Sequence, residues 1–360
     1  MIAGTSVPAA ARRRTGTGLA CLVAAGLLWG TGGLTGSLLG RSSGLPALSV
    51  AAYRLMTGGT LIIVFLVLTG RRWPAGRAAW TRIVAIAGLA AMFQSCYFTA
   101  VSLTSVSLAT LVTIGSAPVL VLAAERVRGR RAGRLAGGAT GLALTGLVLL
   151  AGMPSGGFPE AAVLASAGMA VLAAAGFATL TLISARPVAG LDDLTATGFG
   201  FTLGGLVLLP AAAAAGGVGF TPGPVTLGLL AALGTGPTAV AYTLYFRGLR
   251  SARAGTAALL SLLEPLTGTV LAALILGDRL GPAGITGAVI LAMALVLAAV
   301  AGPYGASGDV PAPNRRSCGR AGGGGGTARC AAMPGPPVPA GGTWTPSGCG
   351  TRARLLPRRR

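Results

Sequence analysis

The 360-residue chain contains no histidine, no lysine and only seven acidic residues. Without histidine, a histidine-dependent catalytic triad cannot be assembled, and none of the five cysteines pairs at the spacing of a metal site. We therefore expect no metal, no other cofactor and no enzymatic activity. Charged residues make up 10% of the chain, against about 25% in a soluble domain, so a soluble protein of this length could not cover its surface.

The composition is instead dominated by apolar residues and glycine, and its basic residues are all arginine. Apolar residues account for 53% of the chain, glycine occurs 60 times, and all 28 basic residues are arginine, giving a formal charge of +21. Such a charge can indicate nucleic-acid binding. Nine arginines, however, lie beyond residue 302 and most others flank apolar segments, which is typical of membrane proteins. We expect membrane lipids, and no nucleic acid, as partners.

Ten segments are long and apolar enough to cross the hydrocarbon core of a bilayer, which takes about 20 residues as a helix. The predicted spans are 17–39, 46–69, 80–102, 104–124, 134–152, 160–184, 195–216, 225–246, 254–277 and 282–302. The third and fourth can be separated only by a tight turn around Ser102–Ser105. The sequence therefore predicts an all-α membrane protein with ten transmembrane helices.

The arginines alternate between the two ends of these spans. One end carries 16 arginines and the other only Arg41 and Arg279, and the positive-inside rule places the richer end in the cytoplasm. Both termini are then cytoplasmic, and we expect a multi-pass protein of the cell membrane. A cleaved signal peptide is the alternative for the first span, but that span is longer than a usual signal core and nine more follow.

The chain repeats itself in two halves. Tyr97-Phe98-Thr99-Ala100-Val101 precedes a helix with Pro118, and Tyr245-Phe246-Arg247-Gly248-Leu249 precedes a helix with Pro265, 147 residues later. Each half has five helices, and because five is odd, a tandem copy enters the membrane in the opposite orientation. This predicts two inverted five-helix repeats, the plan of many secondary transporters.

Four regions follow from this division. They are a cytoplasmic N-terminal segment (1–16), the first repeat (17–152), the second repeat (160–302) and an Arg/Gly/Pro-rich cytoplasmic tail (303–360). The tail has few large aliphatic residues, so we expect it to be disordered. It is either an anionic-lipid contact through Arg358–Arg360 or an extension without a function.

Several motifs occur in an order that resembles the EamA-like ten-helix transporters of the drug/metabolite transporter superfamily. They are Leu28-Trp29-Gly30, Arg54 in Ala52-Tyr53-Arg54-Leu55, the two aromatic repeats above, Leu263-Glu264-Pro265-Leu266 and Ile275-Leu276-Gly277-Asp278-Arg279-Leu280. The resemblance implies alternating-access transport of amino acids, other metabolites or drugs, often export.

The two halves depart from one another within this pattern. Ala117-Pro118 stands where the second half has Glu264-Pro265, the fourth helix looks truncated, and the seventh helix has no counterpart of Arg54. The halves are thus not functionally equivalent.

Two charged residues lie inside predicted spans, where insertion costs about 2.5–3.5 kcal/mol at the centre. Arg54 and Glu264 lie 12–15 Å into the bilayer from opposite sides, at about 1.5 Å per residue. Both are therefore near the midplane, where transporter sites usually lie. Glu264 is a candidate for a proton or a cationic group and Arg54 for an anionic group. The alternative is a permanent ion pair that locks two helices.

Further candidates are aromatic or polar residues in the spans. The predicted cavity residues are Trp29, Gln94, Tyr97, Tyr242 and Tyr245, with packing or an interhelical hydrogen bond as the alternative role. Pro118 and Pro265 each remove a backbone hydrogen bond and are candidate hinges or simple bends.

Small residues recur at every fourth position in two spans. Gly32, Gly36 and Gly40 form one such set and Gly200 with Gly204 another, which predicts close helix packing, within the bundle or in a homodimer. Glu125 and Asp278 stand beside arginines at helix ends, where we expect local ion pairs.

No Walker motif is present, so transport would use an ion gradient or the solute gradient. The interpretation is a transporter of a small molecule, an exporter with possible proton coupling. The alternatives are an intramembrane enzyme, for which no nucleophile–base pair is evident, and a lipid-handling or structural membrane protein, which an open lateral cleft without a polar cavity would favour.

Overall fold

The computed structural model describes residues 9–71, 73–129, 134–152, 158–276 and 279–301. Within these ranges the regular secondary structure is entirely helical, apart from one isolated bridge between Val188 and Leu191. The helices are α1 Ala9–Ser43, α2 Ala47–Leu68, α3 Arg77–Leu103, α4 Val106–Val127, α5 Arg134–Ala151, α6 Glu160–Ser184, α7 Asp193–Ala214, α8 Pro224–Leu249, α9 Ala254–Ile275 and α10 Pro282–Ala301.

Nine helices of the described chain are long and apolar enough to span a membrane, and the apolar part of α5, Leu135–Ala151, is shorter. This confirms the ten predicted spans. The apparent truncation of the fourth helix was wrong, because α4 and α9 each have 22 residues. The C-terminal tail, Asp278 and the joint between the repeats at 153–157 lie outside the described residues.

Local sequence signals fix the ends of the helices. Only Thr104 and Ser105 separate α3 from α4, and the Ser105 hydroxyl accepts a hydrogen bond from the Leu108 amide at 3.2 Å. Asp192 caps α7 through the Thr195 amide at 2.8 Å. These caps satisfy backbone amides that have no partner in the first turn of a helix. The predicted tight turn is thereby confirmed.

Helix pairing shows the two-repeat architecture directly. Helix α2 packs on α7 and α5 packs on α10. Helix α1 packs on α8 and α9, and its counterpart α6 packs on α3 and α4. The counterpart of each helix is the one five positions further along, so that α1 corresponds to α6, α3 to α8 and α4 to α9. When every helix is exchanged for its counterpart, the same set of packed pairs results. Each repeat therefore completes its packing through the other one.

Glycines allow several of these helices to approach closely. A Cβ on Gly200 would lie 2.6 Å from the Ile86 side chain, and one on Gly204 would lie 3.0 Å from the Ala87 carbonyl oxygen, both on α3. Between α5 and α10, a Cβ on Gly146 would lie 2.6 Å from a main-chain nitrogen of α10. Close packing at Gly200 and Gly204 is thus confirmed.

Helices α8 and α9 are irregular near the middle of the bundle. In α8 a π-helical turn, Thr235–Val240, contains Pro237, and α9 is interrupted at Ser261–Leu262, directly before Glu264 and Pro265. Pro265 has no amide hydrogen, and its ring excludes the carbonyl of residue 261 from a regular helix. Pro118, by contrast, lies inside the continuous helix α4. A break therefore occurs at one of the two predicted hinge prolines.

Candidate functional site

A cavity of about 480 Å³ lies between the two repeats, with walls from α1, α2, α3, α4, α6, α8 and α9. It runs from the middle of the bundle to the α1–α2 link, where Arg41, Leu45 and Ala47 line its mouth. We call this end of the bundle the link end, and the other, which holds the α2–α3, α6–α7 and α8–α9 connections, the arginine-rich end.

Arg54 and Gln94 meet in the wall of the cavity. Gln94, in the middle of α3, is 3% exposed, and Arg54 reaches it from α2. In the amide orientation that satisfies both groups, the Gln94 carbonyl oxygen accepts from Arg54 Nη2 at 3.1 Å and from Nε at 3.3 Å. The Tyr242 hydroxyl of α8 is a further hydrogen-bonding neighbour of Arg54. The predicted need of Gln94 for a partner is met by a charged group.

Glu264 lines the same cavity from α9, directly after the break in that helix. It is close enough to Arg54 for an electrostatic interaction. In the described chain, however, no nitrogen of Arg54 lies within 4.0 Å of a Glu264 carboxylate oxygen. The two charges therefore face one cavity without forming the direct ion pair that was the alternative interpretation.

Aromatic rings surround these polar groups. The ring of Trp29 lies 4.9 Å from those of Tyr242 and Tyr245 and 6.0 Å from that of Phe177, measured between centroids. Tyr97 lines the cavity from α3, and its hydroxyl lies 2.7 Å from that of Thr110. Trp29, Gln94, Tyr97 and Tyr242 are thus brought together with the two charges.

Three predicted residues lie behind the cavity wall. Tyr245 is 1% exposed, and its hydroxyl lies 2.9 Å from that of Thr181 on α6. Pro118 and Pro265 do not line the cavity either. Tyr245 therefore packs beneath Trp29 and joins α6 to α8, and any effect of the prolines on a solute would act through helix shape.

Some lining residues were not predicted. Phe177 is the counterpart of Trp29 in the second repeat, and the 148-residue offset that relates Tyr97 to Tyr245 could have found it. Thr113 carries no sequence signal. The close packing predicted for Gly36 and Gly40 was wrong: a Cβ on Gly36 would have Val50 Cγ1 as its nearest neighbour at 3.9 Å, and one on Gly40 the Leu45 carbonyl oxygen at 3.6 Å. Of these three glycines, Gly32 is the one packed closely against another helix, since a Cβ there would lie 3.1 Å from the Pro237 side chain of α8.

Polar contacts join the helices at the arginine-rich end. Within the second repeat, Arg250 pairs with Asp193, with Nε 3.0 Å from Oδ1. Arg82 donates hydrogen bonds to the carbonyl oxygens of Ile183 and Arg186. The buried Glu125 of α4 lies against the first turn of α9, 3.1 Å from where a Cβ on Gly255 would stand. In the described chain, no residue of the arginine-rich end lines the cavity.

Comparison with known proteins accounts for this architecture. The model of the EamA-like transporter family matches residues 16–152 and 164–300. The chain belongs to that family. The uncharacterized transporter YwfM of Bacillus subtilis (strain 168) is 30% identical over 281 residues, which cover 77% of this chain and 92% of that protein. A solved crystal structure covers 80% of this chain and 99% of its own, with a TM-score of 0.67 at 20% identity, which shows the same fold.

The protein is therefore a multi-pass membrane transporter. Its two family repeats coincide with the two halves that pack against each other around the cavity. The names of its family and its relative indicate a transporter and not an enzyme.

Proposed function

We propose that the protein is a secondary transporter that carries a small solute with a charged group and an apolar body through this cavity by alternating access. The observation that supports it best is a mid-bundle cavity that Arg54 and Glu264 both line, while its other charged lining residue in the described chain, Arg41, lies at the link end. A guanidinium can bind a carboxylate with two hydrogen bonds, and a carboxylate can bind an ammonium group. Amino acids and similar metabolites have both groups.

The coupling ion in this proposal is a proton carried by Glu264. Intramembrane carboxylates commonly serve as proton carriers in transporters, and Glu264 is the acidic residue among those that line the cavity in the described chain. Because Arg54 does not touch it directly, Glu264 can exchange a proton or a cationic group without breaking an ion pair. The separation of these two charges supports coupling over a purely structural role.

The polarity of the cavity also argues against the alternative of a lipid-handling or structural protein. Acyl chains need no buried guanidinium, amide or carboxylate, whereas leaving such groups in a membrane protein without a ligand is costly. Solute transport therefore accounts for the site more simply.

The arginine bias supports a cell-membrane location with both termini in the cytoplasm. In that orientation the cavity faces outward and the contacts at the arginine-rich end form the inner gate. We take export as the direction, since family resemblance implies it, and the outward-facing form is then the state that releases solute.

Purified protein in liposomes with an internal pH dye tests the proposal. A panel of amino acids and other small metabolites is added on one side, and solute-dependent proton movement identifies a substrate. We expect Glu264→Gln to abolish this movement while the protein still inserts. The matched control is Glu160→Gln, an exposed carboxylate at the start of α6. Wild-type proton movement with Glu264→Gln contradicts the coupling role.

A further inference from the structure

Helix α1 carries glycines in both halves, but their surroundings differ. Towards the arginine-rich end, a Cβ on Gly26 would lie 2.7 Å from Leu263 Cβ, and one on Gly30 would lie 2.9 Å from the Glu264 carbonyl oxygen. Towards the link end, a Cβ on Gly33 would meet nothing within 4 Å, and one on Gly36 only Val50 at 3.9 Å. Helix α1 is thus tightly packed at Gly26 and Gly30, whereas at Gly33 and Gly36 it faces open space.

That open space is the cavity, since both Gly33 and Gly36 line it. Glycine in a helix costs about 0.5–1 kcal/mol relative to alanine, and in membrane helices close contact usually offsets this cost. No such contact exists at Gly33. Gly88 and Gly168 also have open space around them, but they lie on the bundle surface outside the cavity.

Two buried polar side chains independently indicate that the cavity takes a ligand. Trp29 is 6% exposed and Thr113 is 2% exposed, and both line the cavity. In the described protein, Trp29 Nε1 and Thr113 Oγ1 have no hydrogen-bond partner. Buried polar groups without a partner are rare and costly, and each calls for an explanation. A polar solute in this cavity can supply the missing acceptor and donor.

The wall that α3 contributes to the cavity is largely aromatic. Phe93, Tyr97 and Phe98 line it on either side in sequence of Gln94, the hydrogen-bonding partner of Arg54. A solute with its charged groups on Arg54 and Glu264 would therefore place its apolar body between these rings and the bare backbone of α1.

We propose that Gly33 and Gly36 are specificity-determining residues of the transport site. The apolar body of the solute lies against their backbone, and the lack of side chains there sets the largest group that the cavity accepts. This inference rests on the proposed function and adds a size filter to it.

The test compares Gly33→Leu and Gly36→Leu with Gly88→Leu and Gly168→Leu in proteoliposomes. Counterflow is measured with labelled L-alanine, L-leucine and L-tryptophan. Overpacking costs about 1–3 kcal/mol, so we expect tryptophan exchange to fall about 5- to 150-fold in the two cavity variants. Alanine exchange should persist, and the control variants should exchange all three. Unchanged tryptophan exchange, or an equal loss of alanine and tryptophan, overturns the proposal.

A second measurement does not depend on the solute. In a chain whose five native cysteines are replaced by serine, Gly33→Cys and Gly88→Cys are treated in vesicles with a trimethylammonium methanethiosulfonate reagent. We expect reaction at position 33 and none at position 88. If the wild type exchanges none of the three amino acids, the proposed substrate class fails. An unreactive thiol at position 33 overturns the proposal that Gly33 faces the cavity.

Discussion

Replacement of Gln94 by leucine tests how the cavity keeps its two charges apart. The substitution keeps an apolar body of similar size in α3 but removes the oxygen that accepts from Arg54 at 3.1 and 3.3 Å. A hydrogen bond to a charged group contributes about 1.5–3 kcal/mol. Loss of even one such bond corresponds to about a ten- to hundredfold weaker interaction.

The released guanidinium has one obvious new partner. Glu264 is already within electrostatic reach, and in a low-dielectric site an unpaired cation moves towards the nearest carboxylate. Arg54 and Glu264 should then form the ion pair that is absent from the described structure. Neither charge would then be available to bind the solute.

The assay is solute-dependent flux in proteoliposomes as a function of solute concentration and pH. We expect Gln94→Leu to raise the half-saturating concentration about ten- to hundredfold, for the reason just given, and to weaken the dependence of flux on the proton gradient. Thr99→Val is the control, since this exposed hydroxyl of α3 bonds only to the Ser95 carbonyl of its own helix. A variant with lower protein yield but an unchanged half-saturating concentration and pH profile refutes the positioning role.

Two further predictions concern topology and packing. Cysteines placed at Ser155 and Val310 should label from opposite sides of the membrane, and labelling of both from one side contradicts the five-plus-five arrangement. Gly146→Leu should lower the free energy of unfolding of the detergent-solubilised protein by about 1–3 kcal/mol, and with it the melting temperature. The reason is that even a Cβ there would lie 2.6 Å from a main-chain nitrogen of α10. A leucine at a lipid-facing glycine is the control for fluorescence-monitored unfolding, and equal melting temperatures of the two variants refute the packing argument.

The sequence predicted the helices and the two repeats, but not which faces of the helices are packed and which line the cavity. Gly200, Gly204 and Gly36 follow the same four-residue spacing, yet only the first two are tightly packed. Spacing places small residues on one face of a helix, and it carries no information about which other helix, if any, covers that face. The same reason explains why Tyr245 does not line the cavity as predicted. The sequence places it well inside α8, but it does not show that the side chain is directed towards Thr181.

The sequence by itself determined the membrane helices, the duplication and the two intramembrane charges. Those follow from local physics, because a bilayer demands long apolar helices and tolerates few charges. Only the tertiary structure decided that Gln94 accepts hydrogen bonds from Arg54, that Trp29 and Thr113 have unpaired polar atoms in the described protein, and that Gly33 and Gly36 line a cavity. These features depend on contacts between residues that lie far apart in the sequence, such as Trp29 and Tyr245, whose ring centroids are 4.9 Å apart.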